Sequence, residues 1–424
     1  MNKASSRIVK TYVTLTLLST FASSFIWGIN TLFLLDAGLS IAQAFIANAF
    51  FTGGQVLFEI PTGIVADTRG RRTSFLLGTA TLFLTTLAYL WLWRIHGPFW
   101  AWAVVSMLLG LGFTFFSGAT EAWLVDGLKA AGYKGELEAA FAKGSIANGI
   151  AMLTGTIAGG FVAQYTNLGV PYIMRIVALG LTFLIAIFFM HDEGFKPKAR
   201  TSFFSEMGDV FTESISFGIK KAPIRWMMIS GLFSGGIGIY AFYAMQPYLL
   251  QLYGNPRAFG VAGLAAAIVA GTQMLAGFLA PHVGRVFRRR TSALITSYAA
   301  GAACLLGLGL TSSFSVAVGL LVIWGLSFAI QMPIRQTYIN RIIPSQQRAT
   351  LLSFDSLMSS AGGVTAQPAL GRVADVYGYA RSYVVCAAIQ VLALPFLMLA
   401  RREKAESDVI EAERRRGGEA ETGR

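Results

Sequence analysis

The sequence contains little charge, since only 13% of its 424 residues are Asp, Glu, Lys or Arg, against about 25% in soluble proteins. It has two cysteines, Cys304 and Cys386, which are too few for a disulfide framework. It also contains no HExxH motif, no CxxC pair and no glycine-rich phosphate loop followed by lysine. These shortages argue against a soluble enzyme, a disulfide scaffold and metal or nucleotide chemistry, and they predict no cofactor.

Apolar side chains make up 54% of the sequence. They occur in long blocks, such as residues 12–35 and 75–93, and a run of about 20 apolar residues matches the hydrocarbon core of a bilayer. The blocks therefore predict an all-α membrane protein. Their number and spacing predict twelve transmembrane helices.

The formal net charge is +13, and the lysines and arginines concentrate in alternate loops between the apolar blocks. Basic residues mark the cytoplasmic side of a membrane protein and meet anionic lipid there. The asymmetry predicts that both termini are cytoplasmic, which requires an even number of spans. We therefore expect contact with anionic lipid rather than with nucleic acid, and a location in a bacterial inner membrane.

Two stretches of the second half repeat stretches of the first half at one common offset. Residues 271–275 and 289–295 are similar to residues 53–57 and 71–77, each 218 positions earlier. This repeat predicts a parallel duplication of six spans, the architecture of two-lobed transporters with a midplane site.

The longest loop between spans joins the two predicted halves. Within it, apolar residues from Phe203 to Ile215 recur at helical spacing, which predicts an amphipathic helix on the cytoplasmic membrane face. The predicted divisions are an N-terminal six-helix bundle (1–190), a cytoplasmic linker (191–223), a C-terminal six-helix bundle (224–400) and a charged cytoplasmic tail (401–424).

The stretch GIVADTRGRR at residues 63–72 resembles the cytoplasmic signature of the major facilitator superfamily, Gly-x-x-x-Asp-basic-x-Gly-basic-basic. The segments EIPT at 59–62 and SGATEAW at 117–123 are also similar to that superfamily. The resemblance implies two pseudo-symmetric six-helix bundles and a central cavity lined by spans four and ten. Within the superfamily, the chain resembles bacterial drug:proton antiporters.

The loop signature also predicts a contact from its spacing alone. Asp67 ends span two, Arg71 can reach back to it from four residues on, and Asp126 ends span four on the same side. Such pairs, when partly buried, would bias two conformations. Alternatively, the arginines only anchor the topology. The predicted cytoplasmic latch comprises Glu59, Gly63, Asp67, Arg71, Arg72 and Asp126.

Ionisable groups within spans are expensive in lipid and usually face a cavity or each other. Alignment of span four with span ten places Glu121 opposite Arg335, so we predict that the two can pair across the cavity. Glu121 is then the leading proton or cation site, and Arg335 is its counter-charge or an anion contact. Alternatively, Glu121 supports a local polar network. Arg175 and Asp355 remain ambiguous, because either can belong to a structural pair within one bundle.

Aromatic and amide side chains on spans one, seven and ten supply the rest of a predicted pocket. As a set, they suit an amphipathic ligand held by few polar contacts, although aromatic residues are also common in packing and at membrane interfaces. The predicted cavity-lining residues are Trp27, Asn30, Tyr240, Tyr243, Gln246, Trp324 and Gln331.

These patterns together predict a secondary active transporter that exports a small amphipathic molecule in exchange for a proton, by alternating access. The alternative within this class is a proton-coupled or facilitative importer of a metabolite, a siderophore-like compound or an anion. The alternative of another class is a non-transporting receptor or scaffold. We predict no enzyme, because no nucleophile with a base occurs at membrane depth, and we expect a monomer.

Overall fold

The computed structural model describes residues 3–195, 197, 220–279, 282, 286–343 and 348–410. Throughout these ranges the chain is helical, apart from turns, loops and one isolated bridge between Arg289 and Val409. The amphipathic helix predicted over residues 203–215 and the tail beyond residue 410 lie outside the described residues.

The first half begins with the long helix α1 (Lys3–Trp27) and the short helix α2 (Asn30–Asp36). The helices that follow are α3 (Ile41–Arg69), α4 (Arg71–Ile95), α5 (Phe99–Thr114), α6 (Ala119–Ala130), α7 (Leu137–Tyr165) and α8 (Gly169–Phe189). The second half contains α9 (Ala222–Tyr253), α10 (Phe259–Leu279), α11 (Arg290–Leu310), α12 (Phe314–Ile342), α13 (Arg348–Tyr377) and α14 (Tyr379–Arg402).

Ten of the described spans are long and apolar enough to cross a membrane, with α5 and α6 counted as one span. The bent pair of α1 and α2, counted as one span, is the eleventh. Helix α13, 30 residues long, is the remaining one of the twelve that the sequence predicts. The prediction of an all-α membrane protein is confirmed.

Two spans predicted as continuous helices are interrupted. The first bends by 50° between α1 and α2. The fourth is broken between Thr114 and Ala119, where Gly118 has a φ of +65°, a left-handed conformation that suits glycine. Both breaks free backbone groups from the helical hydrogen-bond ladder, so polar side chains can bind there.

The chain divides into two compact units that do not follow the sequence halves. The first unit contains the helices up to α8 together with Tyr243–Ala270, while the second contains the earlier part of α9 and the chain from Gly271 onward. Helices α9 and α10 therefore each contribute to both units. The bundle boundaries predicted at residues 190 and 224 do not anticipate this division.

The core of the first unit is rich in stacked aromatic rings. The ring of Phe33 lies 3.9 Å from that of Tyr172 and 5.6 Å from that of Trp93, measured between centroids. Trp102 packs edge-on against Tyr89 at 5.0 Å. Because lipid tails are as apolar as these side chains, close packing rather than apolar transfer holds such helices together.

Candidate functional site

We call the end of the first unit where α3 meets α4 the basic end, and the end where α4 meets α5 the opposite end. At the basic end, Arg71 Nη1 lies 2.6 Å from Asp67 Oδ1, the contact that the spacing of the signature predicts. Gly70 separates the two helices with a φ of +104°, a conformation that side chains with a Cβ rarely adopt. A Cβ added at Gly70 would also collide with the carboxylate of Asp192.

Asp192, which the sequence reasoning missed, is the central carboxylate of the basic end. Its Oδ1 accepts the backbone N–H of Arg72 at 2.9 Å. This bond caps α4, whose N-cap residue, Gly70, has no side chain to do so. Burial raises the pKa of Asp192 above its usual 3.8, and nearby Asp126 adds to the rise, while Arg72 and Arg71 oppose it. Asp126 therefore interacts with this cluster through Asp192.

The other two residues of the predicted latch lie elsewhere. Glu59 Oε1 accepts a hydrogen bond from the hydroxyl of Ser117 at 2.6 Å, so it contacts the break between α5 and α6. A Cβ added at Gly63 would meet no atom of the described residues within 4 Å. Close helix approach at this glycine is therefore not a feature of the observed packing.

The second unit repeats the carboxylate cap of the first. Asp408 Oδ1 accepts the backbone N–H of Thr291 at 2.7 Å, and its Oδ2 accepts the hydroxyl of the same residue at 2.9 Å. Asp408 is 1% exposed and lies in a 3₁₀ turn, Glu406–Asp408. The beginning of the predicted tail is thus packed against α11, and the repeat extends beyond the matching sequence segments.

Arg335 forms an ion pair within its own unit. Its Nε donates to Asp355 Oδ2 at 3.2 Å, and its Nη2 pairs with Asp355 Oδ1. The side chains are 6% and 14% exposed, and Arg335 Nη1 also donates to Ser230 at 3.4 Å. Asp355 thus forms an ion pair within one unit, an alternative that the sequence left open, while pairing of Arg335 with Glu121 across the cavity stays a prediction.

Glu121 occupies the first turn of α6, immediately after the break in the fourth span. Its side chain is exposed and lies close enough to Tyr12 of α1 to interact with it electrostatically. Among the described residues it forms no ion pair. Glu121 is therefore an exposed carboxylate at a helix interruption.

The cavity residues predicted on the second unit are mostly engaged in packing. The Tyr240 hydroxyl donates to Ser382 at 2.6 Å, and Ser382 in turn donates to the Tyr379 carbonyl. Trp324 stacks on Phe328 at 5.6 Å, and Gln331 is 6% exposed. Their burial favours a structural contribution in the observed conformation.

Gln246 fills the break between α1 and α2. Its Oε1 accepts the backbone N–H of Thr31 at 3.0 Å, and its Nε2 donates to the carbonyl of Trp27 at 2.8 Å. In an uninterrupted helix these two backbone groups would bond to each other, because N–H(i) pairs with C=O(i−4). The amide is therefore inserted into one helical hydrogen bond, a recognised cause of a sharp bend.

The remaining predicted residues of the first unit form a buried polar network. The Tyr172 hydroxyl donates to Asn30 Oδ1 at 3.0 Å, and Asn30 Nδ2 donates to Asn48 at 3.1 Å. Tyr243 reaches this region from α9 and is hydrogen-bonded to Trp27. Three of the predicted cavity residues, Trp27, Asn30 and Tyr243, thus lie near one another.

Arg175 of α8 belongs to the same network and is 1% exposed. Its Nε donates to Thr86 Oγ1 at 3.0 Å, and its Nη1 donates to the carbonyl of Ala22 at 3.1 Å. Its Nη2 has no hydrogen-bond partner among the residues that the structure describes. No described carboxylate forms an ion pair with it. The sequence offered no means of telling this arginine from a paired one.

Helices of the first unit approach very closely beside this network. A Cβ added at Gly263 would lie 2.8 Å from the carbonyl oxygen of Thr156 and 2.9 Å from Gly160 Cα. A Cβ added at Gly28 would lie 3.0 Å from Gly263 Cα. Glycine is therefore required where α10 packs against α7 and α1.

The sequence profile of the Major Facilitator Superfamily matches residues 12–366. The solved nucleoside transporter NupG has a TM-score of 0.77 at 13% identity, covering 94% of this chain and 99% of that one. The D-xylose-proton symporter has a TM-score of 0.66 at 15% identity, covering 93% and 97%. A bacterial homologue of the human lysosomal transporter Spinster, inward-facing and unoccupied, has a TM-score of 0.70 at 16% identity, covering 96% and 99%. At these identities the likenesses concern the fold, and no curated protein matches the sequence.

Proposed function

Because the chain belongs to the major facilitator superfamily, we propose that it is a secondary active transporter that moves a small amphipathic molecule by alternating access, coupled to protons. Family membership makes it a multi-pass membrane transport protein rather than an enzyme. We propose export as the direction, since the chain as a whole resembles bacterial drug:proton antiporters within the superfamily. We further propose an inner-membrane location with the basic end in the cytoplasm, supported by the bias of lysine and arginine.

The ion pair between Arg335 and Asp355 carries the proposal of proton coupling. Leaving one member of a buried ion pair without its partner costs about 3–5 kcal/mol. Protonation of Asp355 would remove the charge that compensates Arg335, and it would therefore shift the balance between conformations in which the pair is buried or hydrated. The partial exposure of Asp355 supports a path for the proton.

The coupling can be tested by flux measurements in proteoliposomes, with and without an imposed pH gradient, across a small panel of amphipathic compounds. We expect Asp355→Asn to abolish the response of flux to the gradient while retaining exchange of substrate at equal pH. Asp375→Asn is a matched control, because Asp375 lies on the same helix and pairs with the 70% exposed side chain of Arg372. The control should respond to the gradient as the wild type does.

Glu121, which the sequence predicts as the leading proton or cation site, is the other candidate carboxylate for this role. Loss of the gradient response in Glu121→Gln, with a normal response in Asp355→Asn, would move the coupling site to the break in the fourth span. A normal response in both variants would contradict proton coupling through either residue.

Import of an anionic metabolite is the second candidate function. It is favoured by one observation, the presence in α8 of Arg175, a buried arginine that no described carboxylate pairs with. The direction of substrate flux driven by an imposed pH gradient, at equal substrate concentration on both sides, separates this function from export, because a symporter moves substrate with the protons and an antiporter moves it against them.

A further inference from the structure

Arg175 and Arg335, two arginines that are buried within spans, offer a contrast inside one molecule. Arg335 has Asp355 beside it, whereas Arg175 has only a threonine hydroxyl and a carbonyl. An arginine retains its charge under all ordinary conditions and carries five N–H donors. A buried charge at membrane depth is costly unless an opposite charge or a dense set of hydrogen bonds compensates it. The positive charge of Arg175 is therefore not compensated by an opposite charge from the described residues.

The surroundings of Arg175 suit an anionic group rather than a cation. The hydroxyl-bearing rings of Tyr89, Tyr172 and Tyr243 lie close enough to interact with it electrostatically. The Tyr172 hydroxyl already donates to Asn30, so Tyr89 and Tyr243 supply the hydroxyls that can donate a hydrogen bond to an anion. The ring of Phe113 lies 5.7 Å from the guanidinium carbon. The site thus combines one fixed positive charge, hydroxyl donors and an apolar wall.

The position of Arg175 connects it to the opposite end of the first unit. It is the seventh residue of α8, which begins at Gly169, so it lies about 9 Å along the helix from that end. Tyr243 reaches the site from α9, and Gln246 of the same helix is inserted into the break beside Trp27. Withdrawal of this part of α9 would remove both residues and open a path to the guanidinium.

We infer that Arg175 binds a carboxylate group of the transported molecule, so that the substrate class is a small monocarboxylate with an aromatic or alkyl body. This inference rests on the proposed transport function. The planar guanidinium and the carboxylate match in a two-bond arrangement, for which the unpartnered Nη2 supplies one donor. The aromatic lining, including Phe113, takes up the apolar body of the substrate.

Three compounds with the same body test the inference, namely 3-phenylpropionate, its amide and 3-phenylpropylamine. Binding to the full chain in lipid nanodiscs is followed by the shift of the thermal unfolding midpoint and fitted to a dissociation constant. We expect the carboxylate to bind at least about ten-fold tighter than the amide or the amine, as one charge-assisted bidentate contact would give. Equal binding of the three compounds to the wild-type chain overturns the inference without the need for any variant.

Variants then assign the preference to the residue. Arg175→Gln should bind carboxylate and amide equally, and Arg175→Lys should retain part of the preference because it keeps the charge without the fork. Arg94→Gln is the matched control, since it removes one exposed arginine from the same unit, and its preference should equal that of the wild type. A full preference in Arg175→Gln contradicts the assignment.

The thermal midpoint measured with sodium chloride alone shows whether the site binds a substrate carboxylate or any inorganic anion. Stabilisation by chloride equal to that by 3-phenylpropionate would overturn the substrate assignment. The inference and the proposed coupling fail separately. A carboxylate preference in binding without a flux response to the pH gradient refutes only coupling, while gradient-driven flux of neutral or cationic compounds alone refutes only the carboxylate.

Discussion

Asp192 caps helix α4 in place of the residue at the N-cap position, which is a glycine. Gly70 stands at the cap position of α4 with a positive φ, and glycine offers no side-chain oxygen to the first N–H groups of the helix. Asp192 arrives from beyond α8 and supplies that oxygen to Arg72. The arrangement requires glycine at position 70, since a Cβ there would displace the carboxylate of Asp192.

The titration of Asp192 gives a prediction for stability. Burial raises its pKa in the folded chain, so its protonated form stabilises the fold below pH 3.8, and this stabilisation is lost as the pH rises through the raised value. Asp192→Asn keeps the acceptor oxygen and removes the titration. We therefore expect the unfolding free energy of the variant to gain on that of the wild type from about pH 4 upward.

Unfolding midpoints measured in nanodiscs across this pH range check the expectation. Asp192→Ala should lose about 1 kcal/mol at neutral pH through loss of the cap. Glu193→Gln is the control, because its exposed contact with Arg7, at 3.8 Å, should contribute little. A difference between Asp192→Asn and wild type that does not change with pH would contradict the assigned cause.

The sequence predicted which charged residues are important better than it predicted which of them pair with each other. The signature placed Asp67 four residues before Arg71, and helical geometry was enough to bring them together. For Arg335, pseudo-symmetry suggested Glu121 and gave no indication that Asp355, only 20 residues away in the chain, pairs with it inside its own unit. Charge partners depend on the rotation of each helix about its axis, which hydropathy does not specify.

At the scale of the helix, the amide of Gln246 stabilises the bend between α1 and α2. One amide satisfies both backbone groups that the bend in the first span would otherwise leave unpaired. Unpaired buried polar groups cost about 1–3 kcal/mol each, so the bend depends on the presence of the amide. Once the amide leaves, the N–H of Thr31 and the carbonyl of Trp27 can bond to each other and straighten the span.

We expect Gln246→Leu to weaken the attachment of α9 to α1 by about 1–2 kcal/mol, and so to raise the population open at the opposite end about 5- to 30-fold. The reporter is the rate at which a membrane-impermeant maleimide modifies Thr31→Cys, a position that is fully buried in the observed structure. Its background is Cys304→Ala with Cys386→Ala, which removes both native thiols.

Gln251→Leu serves as the comparison, because this residue is exposed on the same helix. It should leave the rate of modification unchanged. Equal rates for Gln246→Leu and wild type would show that the inserted amide does not hold this end closed.

The helices themselves followed from the sequence, while their interruptions did not. A bilayer imposes the length and polarity of a span, so apolar blocks revealed the helices. The breaks at residues 28–29 and 115–118 are set by Gln246 and by the left-handed Gly118. Neither interruption changes the mean hydropathy of its block, so a search for apolar runs passes over both.

At the scale of the whole molecule, residues 243–270 belong to a compact unit formed mostly by the first half of the chain. Gly263 packs closely against α7 and α1, and this contact joins residues 243–270 to that unit. Under the proposed alternating access, these contacts form and break in every transport cycle. Glycine is then needed for the closed arrangement and not for the open one.

We therefore expect Gly263→Val to fold but to lose most of its transport, because overpacking of a tight contact costs about 1–3 kcal/mol or more. Substrate flux in proteoliposomes and modification of Thr31→Cys should change in opposite directions. Gly271→Val on the same helix is the control, since its added Cβ would meet nothing within 4 Å. Normal flux in Gly263→Val would contradict a required close approach.

The general architecture was accessible because a duplicated six-helix pattern and a loop signature survive in the sequence. The division of the chain into compact units was not accessible. Sequence halves reflect duplication, whereas compact units reflect which contacts exist in one conformation, and α9 and α10 contribute to both units. No spacing rule could supply the surroundings of Arg175 either, whose neighbours Tyr172 and Tyr243 connect it to Asn30 and Trp27.

The paired carboxylate caps have a consequence for biosynthesis. Asp192 follows Arg72 by 120 residues, and Asp408 follows Thr291 by 117. Translation proceeds at about 5–20 residues per second. The start of α4 is therefore synthesised roughly 6–24 s before Asp192, and the delay between the start of α11 and Asp408 is similar. Each half therefore enters the membrane with one helix end unfinished, and the arrival of a distant aspartate completes it.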